Sequence, residues 1–315
     1  MISVILPACN EEKMIEKAYF TIVELLRAEK IIYEIIFIDD GSKDGTWDEI
    51  RSLEQRGAVK GITFSRNFGK EAAIMAGLTY ASGDCCVVMD CDLQHPPKTI
   101  IEMYRLWEQG YEVIDGVKKN RGKESGLHRI AAQTFYRLIS NATHLDMSNA
   151  SDFKLLDRKA VDVLLRLPER QPFFRALSSW IGFKTAVIEF EVQEREIGES
   201  KWSLKSLIKY ALTNITSFST IPLHFVTISG FLFLIFSMIL GIQMLYFHYS
   251  GRALEGFTTI IILLLLIGSI LMIGLGIVGY YIAKIYDEVK GRPRYIVSEI
   301  ATSENEKNNK DSFNI

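Results

Sequence analysis

The chain has 315 residues, 48% hydrophobic and 23% charged, with a net charge of −2. That length holds a full α/β core and more, and the near-neutral balance gives no long-range pull toward nucleic acid. The cysteines (Cys9, Cys85, Cys86 and Cys91) have no pair-of-pairs spacing for zinc and read as small buried residues in a reducing compartment.

The chain opens directly into a strand, Ile2 to Leu6, with no basic region before it and too short an apolar run for a signal peptide. Up to about Glu194, apolar β-rich runs alternate with helical patterns. The runs are Ser3–Pro7, Tyr33–Asp39, Val59–Phe64, Cys85–Asp90 and Glu112–Val117. Helices are expected near Glu12–Glu29, Thr46–Arg56, Lys70–Ala81 and Lys98–Gln109. This alternation predicts a mostly parallel sheet covered on both faces, with ligands at the carboxyl ends of its strands. Three polar clusters fall at such ends: Pro7-Ala8-Cys9-Asn10-Glu11, Asp39-Asp40-Gly41-Ser42 and Asp90-Cys91-Asp92-Leu93-Gln94.

The third cluster carries the most chemistry. Carboxylates at Asp90 and Asp92, where a buried strand ends, can both reach one divalent cation. Their hard oxygens suit Mg²⁺ or Mn²⁺, which usually complete their shell with water and substrate phosphates. The alternative is a solvated turn before a helix opened by Pro96-Pro97. In the second cluster, Gly41 permits a tight turn, and Ser42, Asp44 or Thr46 can cap the next helix. A carboxylate there can also accept hydrogen bonds from a nucleobase or ribose. The histidines show no ligand spacing, and His95 reads as a turn residue.

From about Val226 the texture changes. Val226–Phe247 and Thr258–Ala283 contain no Asp, Glu, Lys or Arg, and each exceeds the roughly 20 helical residues that cross a bilayer. The short connection makes them a hairpin. Lys284, Lys290, Arg292 and Arg294 follow the second span, against Arg252 alone in the loop, which puts both chain ends in the cytoplasm. Trp202–Leu223 reads as an amphipathic interfacial segment, with Lys201, Lys205 and Lys209 toward lipid phosphates. The tail beyond Ser303 reads as disordered. The expected organisation is a catalytic unit over 1–194, an acceptor loop with juxtamembrane helices over 195–225, spans over 226–283 and a cytoplasmic tail over 284–315.

Taken together, Pro7…Asn10-Glu11-Glu12, Asp39-Asp40-Gly41-Ser42, Ser65-Arg66-Asn67-Phe68-Gly69-Lys70-Glu71 and Asp90-Cys91-Asp92-Leu93-Gln94 resemble the family 2 glycosyltransferases with a Rossmann-like GT-A fold. Asp152-Phe153-Lys154-Leu155-Leu156, Leu167-Pro168-Glu169-Arg170 and Arg195-Glu196-Ile197-Gly198-Glu199-Ser200-Lys201-Trp202 narrow the likeness to the polyprenyl-phosphate branch. That branch includes dolichol-phosphate mannose synthases and bactoprenol glucosyltransferases. Cys9 departs from the usual Tyr or Phe, and Lys154 from the usual Arg, which loses the bidentate fork.

The resemblance implies that Pro7, Cys9, Glu11 and Asp39 contact the nucleotide with Asp40 close by. It gives Asp90, Asp92 and Gln94 to the metal and diphosphate. Arg129, Arg195 and Lys201 would meet the acceptor phosphate or the diphosphate, and Asp152 would lie near the sugar, as base or as orienting group. Lys70 and Arg66 are read as packing the motif. The implied reaction is inverting transfer of a hexose from a nucleotide-sugar donor to a polyprenyl phosphate at the cytoplasmic face of the plasma membrane. UDP-glucose is favoured; GDP-mannose, a UDP-N-acetylhexosamine and a UDP-aminopentose stay open as donors. A homo-oligomer and a catalytically degenerate membrane scaffold also stay open. A processive polysaccharide synthase would carry Gln-x-x-Arg-Trp, which Gln171–Arg175 does not fit.

Overall fold

The computed structural model describes residues 1–55, 59–119, 151–169, 173–191, 221–250 and 256–302. In the first unit, β1 (Ile2–Ala8), α1 (Glu12–Ala28), β2 (Tyr33–Asp39), α2 (Thr46–Gln55), β3 (Val59–Phe64), α3 (Lys70–Tyr80), β4 (Cys85–Val88), α4 (Lys98–Glu108) and β5 (Val113–Lys118) follow one another. After them come β6 (Lys154–Asp157), α5 (Arg158–Arg166), α6 (Phe174–Trp180) and β7 (Thr185–Phe190). Every residue of β1, β3 and β4 is buried, as parallel strands covered on both faces require. Helix α1 lays Met14, Ile15, Ala18, Tyr19, Ile22, Val23 and Leu26 on the core, the 3–4 spacing of an amphipathic helix.

With a last strand β8 (Val297–Ala301), the sheet order is β7-β5-β6-β4-β1-β2-β3-β8. Strands β1, β2 and β3 step outward in parallel, and β4 then pairs with the other side of β1. The topological switch point therefore lies between β1 and β4, where a doubly wound sheet opens a crevice for ligand. Both Pro7–Glu11 and Asp90–Gln94 leave the sheet at that crevice. Strand β6 inserts antiparallel to β4, with Val88 opposite Lys154. Antiparallel pairing sets the start of β6 beside the end of β4, which brings Asp152 to the same edge.

Strands β6, β7 and β8 go beyond the sequence expectation. After the long helices, β8 (Val297–Ala301) returns and pairs antiparallel with β3. Tyr295 stacks on Phe64 with ring centroids 4.9 Å apart, Ser65 N–H donates to the Ile296 carbonyl at 3.0 Å, and Arg294 donates to the Leu167 carbonyl. Alternation in β8 is poor, with exposed Ser298, Glu299 and Ile300 in a row, so periodicity gives no sign of it.

The second unit holds α7 (Ile221–Tyr249) and α8 (Phe257–Val289). Within α8, Leu266–Val289 is long and apolar enough to cross a membrane, at a mean hydropathy of 2.0. The apolar stretch of α7, Ile228–Gln243, is shorter, so among the described residues one helix of the expected two is long and apolar enough to span. Gly274 is a point of close helix approach, since an added Cβ would lie 3.1 Å from Val226 Cγ1; Gly276 and Gly279 meet nothing within 4 Å. The expected amphipathic stretch up to residue 220 and the tail from Ser303 lie outside the described residues.

Candidate active site

The loops at the switch point are tied to one another by side chains. Asn10, at φ +57°, accepts from Lys43 N–H at 2.9 Å, while its own N–H donates to Ser42 Oγ at 2.8 Å. Glu11 N–H donates to Thr46 Oγ1 at 2.9 Å. Cys9 Sγ accepts from Asn67 Nδ2 at 3.3 Å. Pro7 is buried in β1, and Cys9 is half-buried. Gly41 has φ +62°, and a side chain there would drive into the backbone of Arg66, so the turn after β2 admits only glycine without strain.

Asp39, expected to contact the nucleotide, and Asp40, expected close by, both accept hydrogen bonds from the protein's own donors. Asp39 is 2% exposed and Asp40 4%. Asp39 accepts from Ser42 N–H at 3.1 Å and Thr63 Oγ1 at 2.6 Å. Asp40 accepts from Phe68 N–H at 2.6 Å and Gly69 N–H at 2.9 Å. Burial raises the Asp40 carboxyl, and those two N–H groups partly offset it. These carboxylates knit the β2 turn to the Arg66–Lys70 loop. Sequence spacing cannot show this, because Thr63, Phe68 and Gly69 lie more than 20 residues away.

At the end of β4 the turn is held from behind. The His95 ring stacks on Phe153 at 4.6 Å and meets Phe190 edge-on at 5.4 Å. Burial lowers the His95 pKa, so the imidazole is neutral at pH 7. Leu93 sits at φ +56°, an uncommon conformation for a branched side chain that sequence does not announce. Asp92 Oδ1 accepts from Gln94 N–H at 3.1 Å. Among the described residues no group of three His, Cys, Asp or Glu gathers as a ready-made cage. Two carboxylates suit Mg²⁺ or Mn²⁺, which take one or two and leave the remaining positions to phosphate oxygens and water.

Asp90 and Asp152 meet over Lys70, a cation first read as packing. Lys70 Nζ lies 2.6 Å from Asp90 Oδ1 and 2.9 Å from Asp152 Oδ2. Arg175 then grips Asp152 at two points, Nε to Oδ1 at 2.6 Å and Nη2 to Oδ2 at 2.7 Å. Burial alone would raise Asp152, but Lys70 and Arg175 outweigh it and hold the carboxyl far below the usual range. Burial likewise opposes Asp90, and Lys70 wins again, lowering its pKa. Lys118, the last residue of β5, adds a cation near Asp90 and Asp92, with its own pKa lowered by burial. Arg175 carried one signal in the sequence: it is the lone charge within Phe173-Phe174-Arg175-Ala176-Leu177.

Glu71 is the fourth carboxylate. Its Oε2 accepts from Phe174 N–H at 2.9 Å, which ties α3 to α6. Burial and the nearby Asp152 charge push its pKa up to about 7. The unfolded chain gives up that proton near 4.5, so the folded state binds more protons between these values and stability falls as pH rises through them. Glu71→Gln should flatten this slope, stabilising the protein more at pH 8 than at pH 5; thermal midpoints across that range check it. An unchanged slope would assign the proton elsewhere.

Behind the site, Lys154 is 0% exposed. Its Nζ lies 2.8 Å from Asp115 Oδ1 and donates to Ser178 Oγ at 2.5 Å. Arg129, Arg195 and Lys201 lie outside the described residues.

The switch point of such a sheet is where ligands bind, and comparison with known proteins makes the class glycosyltransferase. Residues 3–165 match the model of glycosyl transferase family 2, and the chain belongs to that family. The uncharacterized glycosyltransferase YkcC of Bacillus subtilis (strain 168) is 39% identical, over 97% of this chain and 95% of that one. The SfII prophage-derived bactoprenol glucosyl transferase of Shigella flexneri is 37% identical, over 95% of this chain and 97% of that one. Among solved structures, mannosyl-3-phosphoglycerate synthase from Rubrobacter xylanophilus is similar at 18% identity and a TM-score of 0.49, over 69% of this chain and 72% of that one.

Proposed function

We propose that this glycosyltransferase moves a hexose, with inversion, from a nucleoside diphosphate to polyprenyl (undecaprenyl) phosphate at the cytoplasmic face of the plasma membrane. Glucose from UDP-glucose is the favoured sugar, by likeness to the bactoprenol glucosyl transferase of Shigella flexneri. GDP-mannose, a UDP-N-acetylhexosamine and a UDP-aminopentose are the competing donors. The observation that carries the reading is the meeting of Asp90, Asp152, Lys70 and Arg175 at the carboxyl edge of β4. Asp90 and Asp92, with Gln94, would hold Mg²⁺ or Mn²⁺, which when bound supplies Lewis-acid and electrostatic stabilisation of the departing diphosphate.

The acceptor needs little help to become a nucleophile. A phosphate monoester has its second pKa near ~6, so it is largely dianionic at neutral pH. Asp152, ion-paired on both oxygens, is a poor base and a well-fixed carboxylate. Its role is to orient the sugar or the acceptor. Arg129, Arg195 and Lys201 are assigned to draw the dianionic headgroup toward an anionic donor that would otherwise repel it.

The membrane part of the proposal has two spans. Large apolar side chains such as Phe231, Leu232, Leu271 and Met272 are exposed along α7 and α8, which suits lipid and not water. The return of β8 to the sheet supports an even number of crossings. A chain that crossed once would leave β8 and β3 on opposite sides of the bilayer, yet they pair. A cysteine placed at Ser250, between the helices, should react with an impermeant maleimide in intact cells, and one at Ser298 should not. Protection of both would place the hairpin on one side.

The deciding assay uses the full-length protein in detergent with undecaprenyl phosphate, Mg²⁺ or Mn²⁺, and radiolabelled UDP- and GDP-sugars. Label should enter the lipid phase from one donor, disappear with EDTA and be abolished in Asp92→Asn. No lipid label from any donor, in protein that still binds nucleotide, would overturn the acceptor assignment.

A further inference from the structure

Lys70 has no role in the reaction as described so far, yet its ammonium sits between two of the site's carboxylates. Its backbone is fixed: Gly69, at φ +100°, gives its N–H to Asp40, and α3 begins at the next residue. Its ammonium bridges Asp90 and Asp152, whose negative charges come from different strands and would repel each other without it. The Lys70 side chain is 40% exposed, so it is not walled into this position. Asp152 has a second anchor in the two-point grip of Arg175. Asp90 accepts the ammonium at 2.6 Å on Oδ1, an oxygen that a divalent cation would also want.

We propose that Lys70 is a catalytic counter-cation that competes with the divalent metal for Asp90, and that when displaced it turns to the diphosphate of the donor. This rests on the reading of Asp90 and Asp92 as metal ligands. An ammonium carries three donors. Before the donor binds, two of them neutralise Asp90 and Asp152 and hold the carboxylates near one another. When a divalent cation arrives with its nucleoside diphosphate, Asp90 passes to the cation. Lys70 keeps Asp152 and is left with a positive charge facing the phosphate oxygens. Arg175 holds Asp152 in place throughout. The cation alone must displace an ion pair to bind, whereas the cation with its diphosphate gives the released ammonium a new partner. Metal binding should therefore be weak by itself and strongly favoured by nucleotide.

Mn²⁺ binding to the full-length protein, followed by electron paramagnetic resonance with and without UDP, tests this apart from turnover. Lys70→Met should bind Mn²⁺ alone about tenfold more tightly than the unaltered protein, because the competing charge is gone. The same variant should lose most of the gain that UDP confers. Lys70→Gln, neutral but still able to hydrogen-bond both carboxylates, should behave likewise and covers the case where the methionine variant does not fold. Lys70→Arg, which keeps the charge, should stay near the original affinity. Unchanged or weaker Mn²⁺ binding in both neutral variants would overturn the role of Lys70 while leaving the metal site standing. Failure of the unaltered protein to bind Mn²⁺ even with UDP, or equal binding in Asp90→Asn, would remove the metal reading and the Lys70 proposal together.

Discussion

Arg175→Ala is expected to lower turnover by about two to three orders of magnitude while the domain stays folded. The guanidinium holds both oxygens of Asp152, at 2.6 and 2.7 Å, and a displacement of about 1 Å in a positioned group can cost around a hundredfold in rate. Lys70 remains on Asp152 at 2.9 Å, so the carboxylate is not left unpaired and the loss of stability should be small. Arg175→Lys should recover only part of the rate, because an ammonium cannot make the two-point contact.

The same variant separates two roles for Asp152. Removing Arg175 takes away one of the charges that hold the Asp152 pKa down, so the carboxylate becomes a better base. If proton abstraction were its task, the chemical step would hold or quicken. If orientation is its task, the step slows. Single-turnover rates for Arg175→Ala and Asp152→Asn, read against pH, decide between them. An acid limb that moves upward in Arg175→Ala with the rate preserved would restore the base role.

Lys154→Met should destabilise the protein by about 3–5 kcal/mol, the usual consequence of leaving one member of a buried ion pair alone. Lys154 is fully buried, and Asp115 is 8% exposed. The double change Lys154→Met with Asp115→Val should regain most of the loss, since it removes the stranded charge. Chemical denaturation of the full-length protein in detergent measures both. A single variant within about 1 kcal/mol of the parent would mean that water reaches Asp115 and solvates it. At this position lysine suffices. Here the side chain meets one carboxylate oxygen and one hydroxyl, so no bidentate fork is called for.

Much of the architecture was legible because it is written in local patterns. Apolar runs alternating with helical patterns point to a covered, mostly parallel sheet, and β1 through β5 fall within a few residues of the expected bounds. Gly41 and the clusters at the strand ends follow from turn chemistry and from where such sheets bind ligands. The charge-free stretches announced the long helices α7 and α8 by composition alone.

Only the tertiary structure decided which charges meet. Asp152 stands beside Asp90 because β6 runs antiparallel to β4, a pairing that depends on register across more than sixty residues of sequence and leaves no periodic trace. Lys70 reads in the sequence as packing its motif, whereas its two carboxylate partners come from segments 20 and 82 residues further along the chain. Asp39 and Asp40 carry no sequence mark of their partners within the fold, the hydroxyl and backbone N–H donors of β3 and the Arg66–Lys70 loop. Strand β8 hid for a similar reason, as it adds to a sheet edge through backbone hydrogen bonds that almost any side chains permit. Periodicity reports the face a segment buries, whereas ion pairs and edge pairing depend on neighbours that only folding brings together.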